Sequence, residues 1–232
     1  MSADARALDP KELFYDSIAG VWDAKMDAAE IGKRLRLVFG RLLRPQDVRG
    51  RKTLDAGCGT GRFSRVLADW GADLVSSDIG GSLTTMAASG IRSRGVRADI
   101  TRLPFASRAF AAVLSTEVVE HTPDPRAAVR ELCRVVAPGG VLALTTPNKL
   151  WHPAIVAATT LRLRPYHGLE NWTSYHELRS WLIEEGLEIE DYFGFNLLPH
   201  TFFCRPAFDR LDAPRALHPF MINIAARALR PA

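Results

Sequence analysis

The sequence predicts an α/β protein built on a doubly wound, mostly parallel sheet. Three observations carry that prediction. Short apolar runs alternate with stretches of helical periodicity between about residues 50 and 150. A glycine-rich turn, Gly57-Cys58-Gly59-Thr60-Gly61, joins the first such run to a helix. Three successive strand candidates carry an aspartate at or near their carboxyl end: Asp55, Asp78 and Asp99. In parallel sheets the carboxyl ends line one edge, where ligands bind.

The elements follow in order. Phe14, Ile18, Val21 and Trp22, then Ile31, Leu35, Val38, Phe39 and Leu42, recur at helical spacing across residues 10–45, and Pro45 ends that run. Thr53–Asp55 is a short strand running into the glycines. Arg62–Trp70 resumes a helix through Phe63, Val66, Leu67 and Trp70. Asp73–Asp78 is a second strand. Ser82–Ser89 follows as a helix with Ser82 as its N-cap. Val96–Ala98 and Phe110–Ser115 are the next strands. Asp124 opens a helix reaching Val136, with Pro125 at its first position. Pro138-Gly139-Gly140 reads as a turn before the strand Val141–Thr145. Trp151–Leu163 is helical in pattern. Ser174 with Glu177 forms a capping box for a helix to Glu185. Leu187–Phe195 forms one or two late strands; the tail beyond it shows no ordering pattern.

Composition bounds the function. The chain has 232 residues, 47% hydrophobic and 24% charged, which suits one large folded domain and excludes a disordered chain. Net charge is +4, and the basic residues are mixed with acids. A solvated helix face explains the densest basic stretch, from Lys33 to Lys52, so nucleic acid is not the expected partner. Cys58, Cys133 and Cys204 are odd in number and far apart, which fits neither a disulfide framework nor a Cys-type zinc site. The amino terminus lacks an apolar core, and no run approaches the ~20 apolar residues of a membrane span. A cytoplasmic protein, with at most a peripheral membrane contact at Phe202 and Phe203, is the expectation.

The glycine loop sets the first chemistry. A dinucleotide's pyrophosphate wants G-x-G-x-x-G, whereas here the third glycine comes one residue early and Asp55 precedes the loop. An acid at that place suits a cationic ligand better than a phosphate. Asp78 is placed to accept from a ribose diol, and Asp99 from an adenine amino group. Each aspartate alone reads as a cap or turn residue; three at three successive strand ends beside a glycine loop do not.

On Leu54–Gly61, Asp78, Asp99, Leu103-Pro104-Phe105, Phe110–His121 and Arg134–Asn148, the sequence resembles the class I S-adenosylmethionine-dependent methyltransferases. The likeness spans about Phe14 to Phe195. It implies a Rossmann-like methyltransferase fold with an N-terminal helical lid at residues 1–45, carrying Tyr15 and Trp22. A cofactor-binding core at 46–150 follows, and 151–232 completes the same domain on the substrate side. It further implies S-adenosylmethionine held by Asp55, Gly57, Gly59, Gly61, Asp78, Ile79, Asp99, Ile100, Thr116 and Glu117. One departure stands out: relatives usually carry Asp after the fourth strand's Phe, where this chain has Ala111, and a structural hydrogen bond is the expected loss. Within the superfamily, Thr116–Pro125 is similar to the E-x-x-E-H segment of ubiquinone-pathway O-methyltransferases; Arg36 and His167 stand where they carry an Arg and a His.

That resemblance implies methyl transfer to a small-molecule acceptor, aromatic or polyhydroxylated, at oxygen. The candidate bases are His121 and His167, since histidine titrates near neutrality. If residues 117–121 are helical, Glu117, Glu120 and His121 share a face and suit a divalent ion such as Mg²⁺; the competing reading makes them loop braces. Three alternatives stay open: methylation of nitrogen, carbon or an RNA ribose, a nucleotide-dependent oxidoreductase, and a non-catalytic cofactor-binding protein.

Overall fold

The computed structural model describes residues 28–160, 170–197 and 214–232. Its seven strands are β1 Lys52–Ala56, β2 Asp73–Asp78, β3 Ser93–Arg97, β4 Phe110–Thr116, β5 Val136–Pro147, β6 Glu188–Phe195 and β7 Asn223–Leu229. They form one sheet in the order β3-β2-β1-β4-β5-β7-β6. The first five are parallel, and β7 runs antiparallel to both of its neighbours. The chain reverses direction in the sheet after β1–β2–β3, so β1 and β4 flank the switch point where a ligand crevice forms.

The helices are α1 Ala28–Leu37, the one-turn α2 Pro45–Val48, α3 Arg62–Asp69, α4 Gly81–Ala88, α5 Pro125–Val135, α6 His152–Thr160 and α7 Tyr175–Glu184. A π-helical turn, Val38–Leu42, continues α1. Strand alternation sorts the core onto two faces. Val113, Leu142 and Leu144 face α5 and α7 through Val129, Leu132, Leu178 and Leu182. Ala112, Leu114 and Ala143 face the other way, toward Leu42, Leu43 and Leu67.

Local signals set several boundaries. Asp124 caps α5 by accepting from Ala127 N at 2.9 Å, with Pro125 at the first helical position. Ser174 and Glu177 close the capping box on α7. Elsewhere the structure differs from the sequence pattern. Helix α4 begins at Gly81 with Gly80 as its cap and no side-chain cap bond, so Ser82 lies inside it. Strand β3 ends at Arg97, earlier than the apolar run suggests, because it pairs with β2 residue for residue from Leu74 to Asp78. Pro138-Gly139-Gly140 does not terminate pairing. It sits within β5 as an irregularity between the Phe110–Val136 and Ala112–Val141 pairs. Gly139 N donates to Arg230 O at 2.9 Å, and Arg230 N returns a bond to Gly140 O.

The tail supplies β7, the strand that joins β5 to β6. Arg227, 3% exposed, is the charged residue in its middle. Its guanidinium donates to Asp47 Oδ2 at 2.7 Å, Glu190 Oε2 at 2.8 Å and Leu42 O at 2.7 Å. A buried cation is tolerable only when paired and fully hydrogen-bonded. This one ties β7 to α2, β6 and the π-helical turn.

Candidate active site

The glycine loop leaves β1 at the switch point. Gly57, Gly59 and Gly61 all have positive φ, at 77°, 52° and 85°. At Gly57 a Cβ would come within 2.3 Å of Val118 Cγ2, and at Gly61 within 2.5 Å of the Ala87 Cα. Glycine is therefore demanded twice, by conformation and by close approach. At Gly59 nothing lies within 4 Å of that position, which leaves bare backbone for a ligand. Four of the loop's five amides are committed within the protein. Gly57 N and Cys58 N donate to Ser77 O at 2.8 and 2.9 Å, and Gly61 N to Cys58 O at 2.9 Å. Gly59 N donates to Asp78 Oδ2 at 3.0 Å. Amides so engaged do not make a phosphate cradle, which supports the reading drawn from the early third glycine.

Asp78 ends β2 as expected. Its second oxygen accepts from Gly80 N at 3.1 Å, so the carboxylate bridges the turns after β1 and β2. Asp55 differs from expectation. It is 2% exposed and accepts from Ser64 Oγ at 2.6 Å, beginning a chain of hydroxyls through Ser76 to Ser93. Burial, with a further push from Asp78, raises its pKa to about 7. It anchors the loop from beneath instead of presenting a counter-charge at the surface. Asp99 Oδ1 accepts from Thr101 N and Thr101 Oγ1, both at 2.8 Å, and so closes its own turn. Ile100 is buried behind it, and Ile79 is half-buried beside Asp78.

Across the switch point, the ends of β4, β5 and β7 bring together polar side chains that no local pattern links. Glu117 follows β4 with φ at 53°, and its N donates to Thr145 O at 2.9 Å. Its Oε2 accepts from Asn223 Nδ2 at 2.9 Å and stands 3.6 Å from Arg34 Nη2. Arg34 also pairs at 2.8 Å with Glu30, one turn earlier on α1, so its approach to Glu117 is what ties α1 to this edge. Glu120 is 2% exposed and accepts from Thr146 Oγ1 at 3.2 Å. Burial holds both glutamates above the usual carboxylate range; Glu30 adds to the push on Glu117, against Arg34, and Glu117 adds to that on Glu120.

The shared helical face predicted for Glu117, Glu120 and His121 does not form. Glu117 is left-handed, and only a single 3-10 turn, Val119–His121, follows. His121 Nε2 lies 3.9 Å from Glu120 Oε1, while Glu117 turns toward Asn223. Among the described residues no group of three or more His, Cys, Asp or Glu side chains is arranged to hold a metal ion. An arginine that the sequence did not single out, Arg34, is buried against Glu117; the expected Arg36 is exposed on the same helix. Thr116 ends β4 half-buried. Tyr15, Trp22 and His167 lie outside the described residues, as do Phe202 and Phe203. Trp172, Phe193 and Phe195 are core residues. Sequence reasoning missed Arg34, Thr146 and Asn223. For Arg34 a signal existed in its i,i+4 spacing from Glu30; for Asn223 there was none.

The comparisons agree with this geometry. A methyltransferase-domain family matches residues 54–144. The ubiquinone biosynthesis O-methyltransferase of Pseudomonas aeruginosa (strain UCBPP-PA14) is 33% identical over 164 residues, covering 66% of this chain and 71% of that protein. The protein of that name from Xanthomonas axonopodis pv. citri is 33% identical over 173 residues, covering 69% and 71%. An S-adenosylmethionine-dependent methyltransferase of Mesorhizobium loti superposes with a TM-score of 0.62 at 20% identity, covering 93% of this chain and all of that one. Magnesium protoporphyrin IX methyltransferase of Synechocystis PCC 6803 gives 0.64 at 18%, covering 96% and 100%. The chain belongs to the S-adenosylmethionine-dependent methyltransferases and is an enzyme of that class. Within that class, the Pseudomonas and Xanthomonas relatives are both ubiquinone biosynthesis O-methyltransferases. No described helix is long and apolar enough to cross a membrane.

Proposed function

We propose that this enzyme methylates a hydroxyl of a small-molecule acceptor, with a phenol as the acceptor class. The observation that carries the reading is the division of the sheet edge: a glycine-and-aspartate cradle on one side of the switch point and a buried polar cluster on the other. The O-methyltransferase names of the sequence relatives support oxygen over nitrogen or carbon.

In this reading the turn at Gly57 and the bare backbone at Gly59 receive the amino-acid end of S-adenosylmethionine, and Gly61 lets α4 close behind it. Asp78 accepts from the ribose, and Ile79, Asp99 and Ile100 flank the adenine. Asp55 holds the loop, Thr116 and Glu117 border the sulfonium, and the exposed Arg36 reaches the carboxylate. Residues 1–45, with Tyr15 and Trp22, cover the cofactor bound in the core at 46–150, and 151–232 complete the acceptor side. When bound, the donor supplies an electrophilic methyl group for in-line displacement. The chain's own work is alignment, proton removal and exclusion of water. His121 takes the acceptor proton, its ring beside the buried Glu120, and His167 is the second candidate. The arrangement around Glu117 supports alignment by side chains over a bound divalent ion.

The test is transfer of labelled methyl to catechol, simple sugars and nucleosides, with and without exhaustive chelation. The proposal expects catechol to be methylated and chelation to leave the rate unchanged. Labelling confined to nucleosides, or a rate that collapses on chelation and returns with Mg²⁺, would replace it. His121→Ala that keeps full turnover would clear that residue.

A further inference from the structure

We infer that Asn223, at the start of β7, is a positioning residue for the acceptor: it holds Glu117 so that the carboxylate's other oxygen meets the acceptor hydroxyl. This rests on the phenol reading above and adds to it a residue from the far end of the sheet.

The geometry around Glu117 is over-determined. Its backbone is left-handed, a conformation a non-glycine residue adopts only when its surroundings impose it, and such residues gather at functional sites. Its amide is pinned to Thr145 O. Asn223, 4% exposed, spends one side of its amide on Glu117 Oε2 at 2.9 Å. The other side accepts from Asn196 Nδ2 at 3.0 Å, which fixes which face of the Asn223 amide is turned to Glu117. Arg34 approaches the same carboxylate from α1.

With all this support, the site is still short of partners. Glu117 Oε1, Thr145 Oγ1 and Arg34 Nε are each buried without a well-formed hydrogen bond, although the Thr145 hydroxyl lies close enough to Glu117 to pull its pKa down. Buried polar atoms are nearly always satisfied, and exceptions call for an explanation such as a missing ligand. A hydroxyl, which gives one hydrogen bond and takes others, would give to Glu117 Oε1 and take from Arg34 Nε. The site stands at the carboxyl ends of β4 and β5, and Val118, next in the chain after Glu117, packs on Gly57 of the cofactor loop. A hydroxyl bound there is beside the loop and on the opposite side from Asp78. Asn223 itself touches no acceptor in this scheme; it acts by fixing where Glu117 presents Oε1.

Asn223→Asp is the informative variant, because it keeps the shape and turns the donor facing Glu117 into a second carboxylate oxygen. The holoenzyme variant should bind S-adenosylhomocysteine within about twofold of wild type by calorimetry, while kcat on catechol falls ~10²-fold through misalignment. N223D combined with E117Q restores a donor–acceptor pair at this contact. It should recover the melting temperature lost by N223D but not the turnover, since the carboxylate that meets the acceptor is gone. Turnover that follows melting temperature in both variants makes Asn223 merely structural and overturns the inference. So does a single variant with wild-type kcat. A wild-type enzyme that binds S-adenosylhomocysteine yet leaves catechol unmethylated sinks the phenol reading and this inference with it, an outcome visible before any variant is made.

Discussion

The two sides of the switch point hold their polar groups in opposite ways. On the cofactor side, backbone does most of the work: three glycines at positive φ, amides already engaged, and one carboxylate bridging two turns. On the acceptor side, side chains do it, and they come from α1, β4, β5 and β7; Glu117 and Asn223 alone lie 106 positions apart. Four of the glycine loop's amides are thus engaged before any ligand arrives, whereas the side proposed for the acceptor keeps buried polar atoms without well-formed hydrogen bonds. A site for an invariant ligand is fixed by local geometry. A site for a variable ligand is built from replaceable side chains on a rigid edge.

The harshest way to break this contrast is Gly61→Val. The added carbons meet Ala87 backbone within 2.5 Å at a φ of 85°, so overpacking and a left-handed β-branched residue together should remove about 3 kcal/mol or more of stability. Chemical denaturation measures it, with loss of S-adenosylhomocysteine binding alongside; a variant that unfolds like wild type would show that the loop's backbone is not the cradle. Arg227→Met comes next. It leaves Asp47 and Glu190 facing a buried gap and should cost about 3 kcal/mol, with cofactor affinity of the folded fraction retained. Asp78→Ala acts more on binding than on the fold, weakening S-adenosylhomocysteine by ~10²-fold in calorimetry while the two amides it strands cost about 1–2 kcal/mol of stability.

A gentler probe is pH. Asp55 has a folded pKa of about 7, above its ordinary value of 3.8. Between those limits the folded protein keeps a proton that the unfolded chain releases, so this residue makes stability fall as pH rises from about 4 to 7, by up to ~1.4 kcal/mol per unit. Above that window the slope vanishes. Asp55→Asn should flatten the curve when melting is followed across the same range; an unchanged slope would mean the carboxyl is not buried as described. The smallest effect belongs far from either site. Arg94→Ala breaks an exposed pair with Asp73 and should change stability by less than about 0.5 kcal/mol in the same denaturation assay, with catalysis untouched.

That contrast also explains what could be read from the residues alone. Asp55 to Gly61 and Asp78 are contiguous or at strand ends, so periodicity and glycine spacing reveal them, and Asp124, Ser174 and Glu177 announce their helices by capping chemistry. Asn223-Ile-Ala-Ala-Arg-Ala-Leu229 gives no such signal. It is buried on both faces, so no alternation shows, and alanine and arginine favour helix over strand. Arg227 in its middle looks like a surface residue until Asp47 and Glu190 are brought beside it. The E-x-x-E-H spacing misled for a related reason: it presumes a helix, and the positive φ at Glu117 is imposed by tertiary bonds to Thr145 and Asn223 that sequence spacing does not contain.

The place of β7 has a consequence for biosynthesis. Strand β6 is translated before β7, yet among the described residues it meets the rest of the sheet only through β7. Until the ribosome delivers residues 223–229, the nascent β6, with Phe193 and Phe195, has no ladder partner among the described strands. Unpaired apolar edges of that kind attract one another and the cell's chaperones. Strand β7 is therefore the bolt that ends this vulnerable interval, and the same stroke seats Asn223 against Glu117.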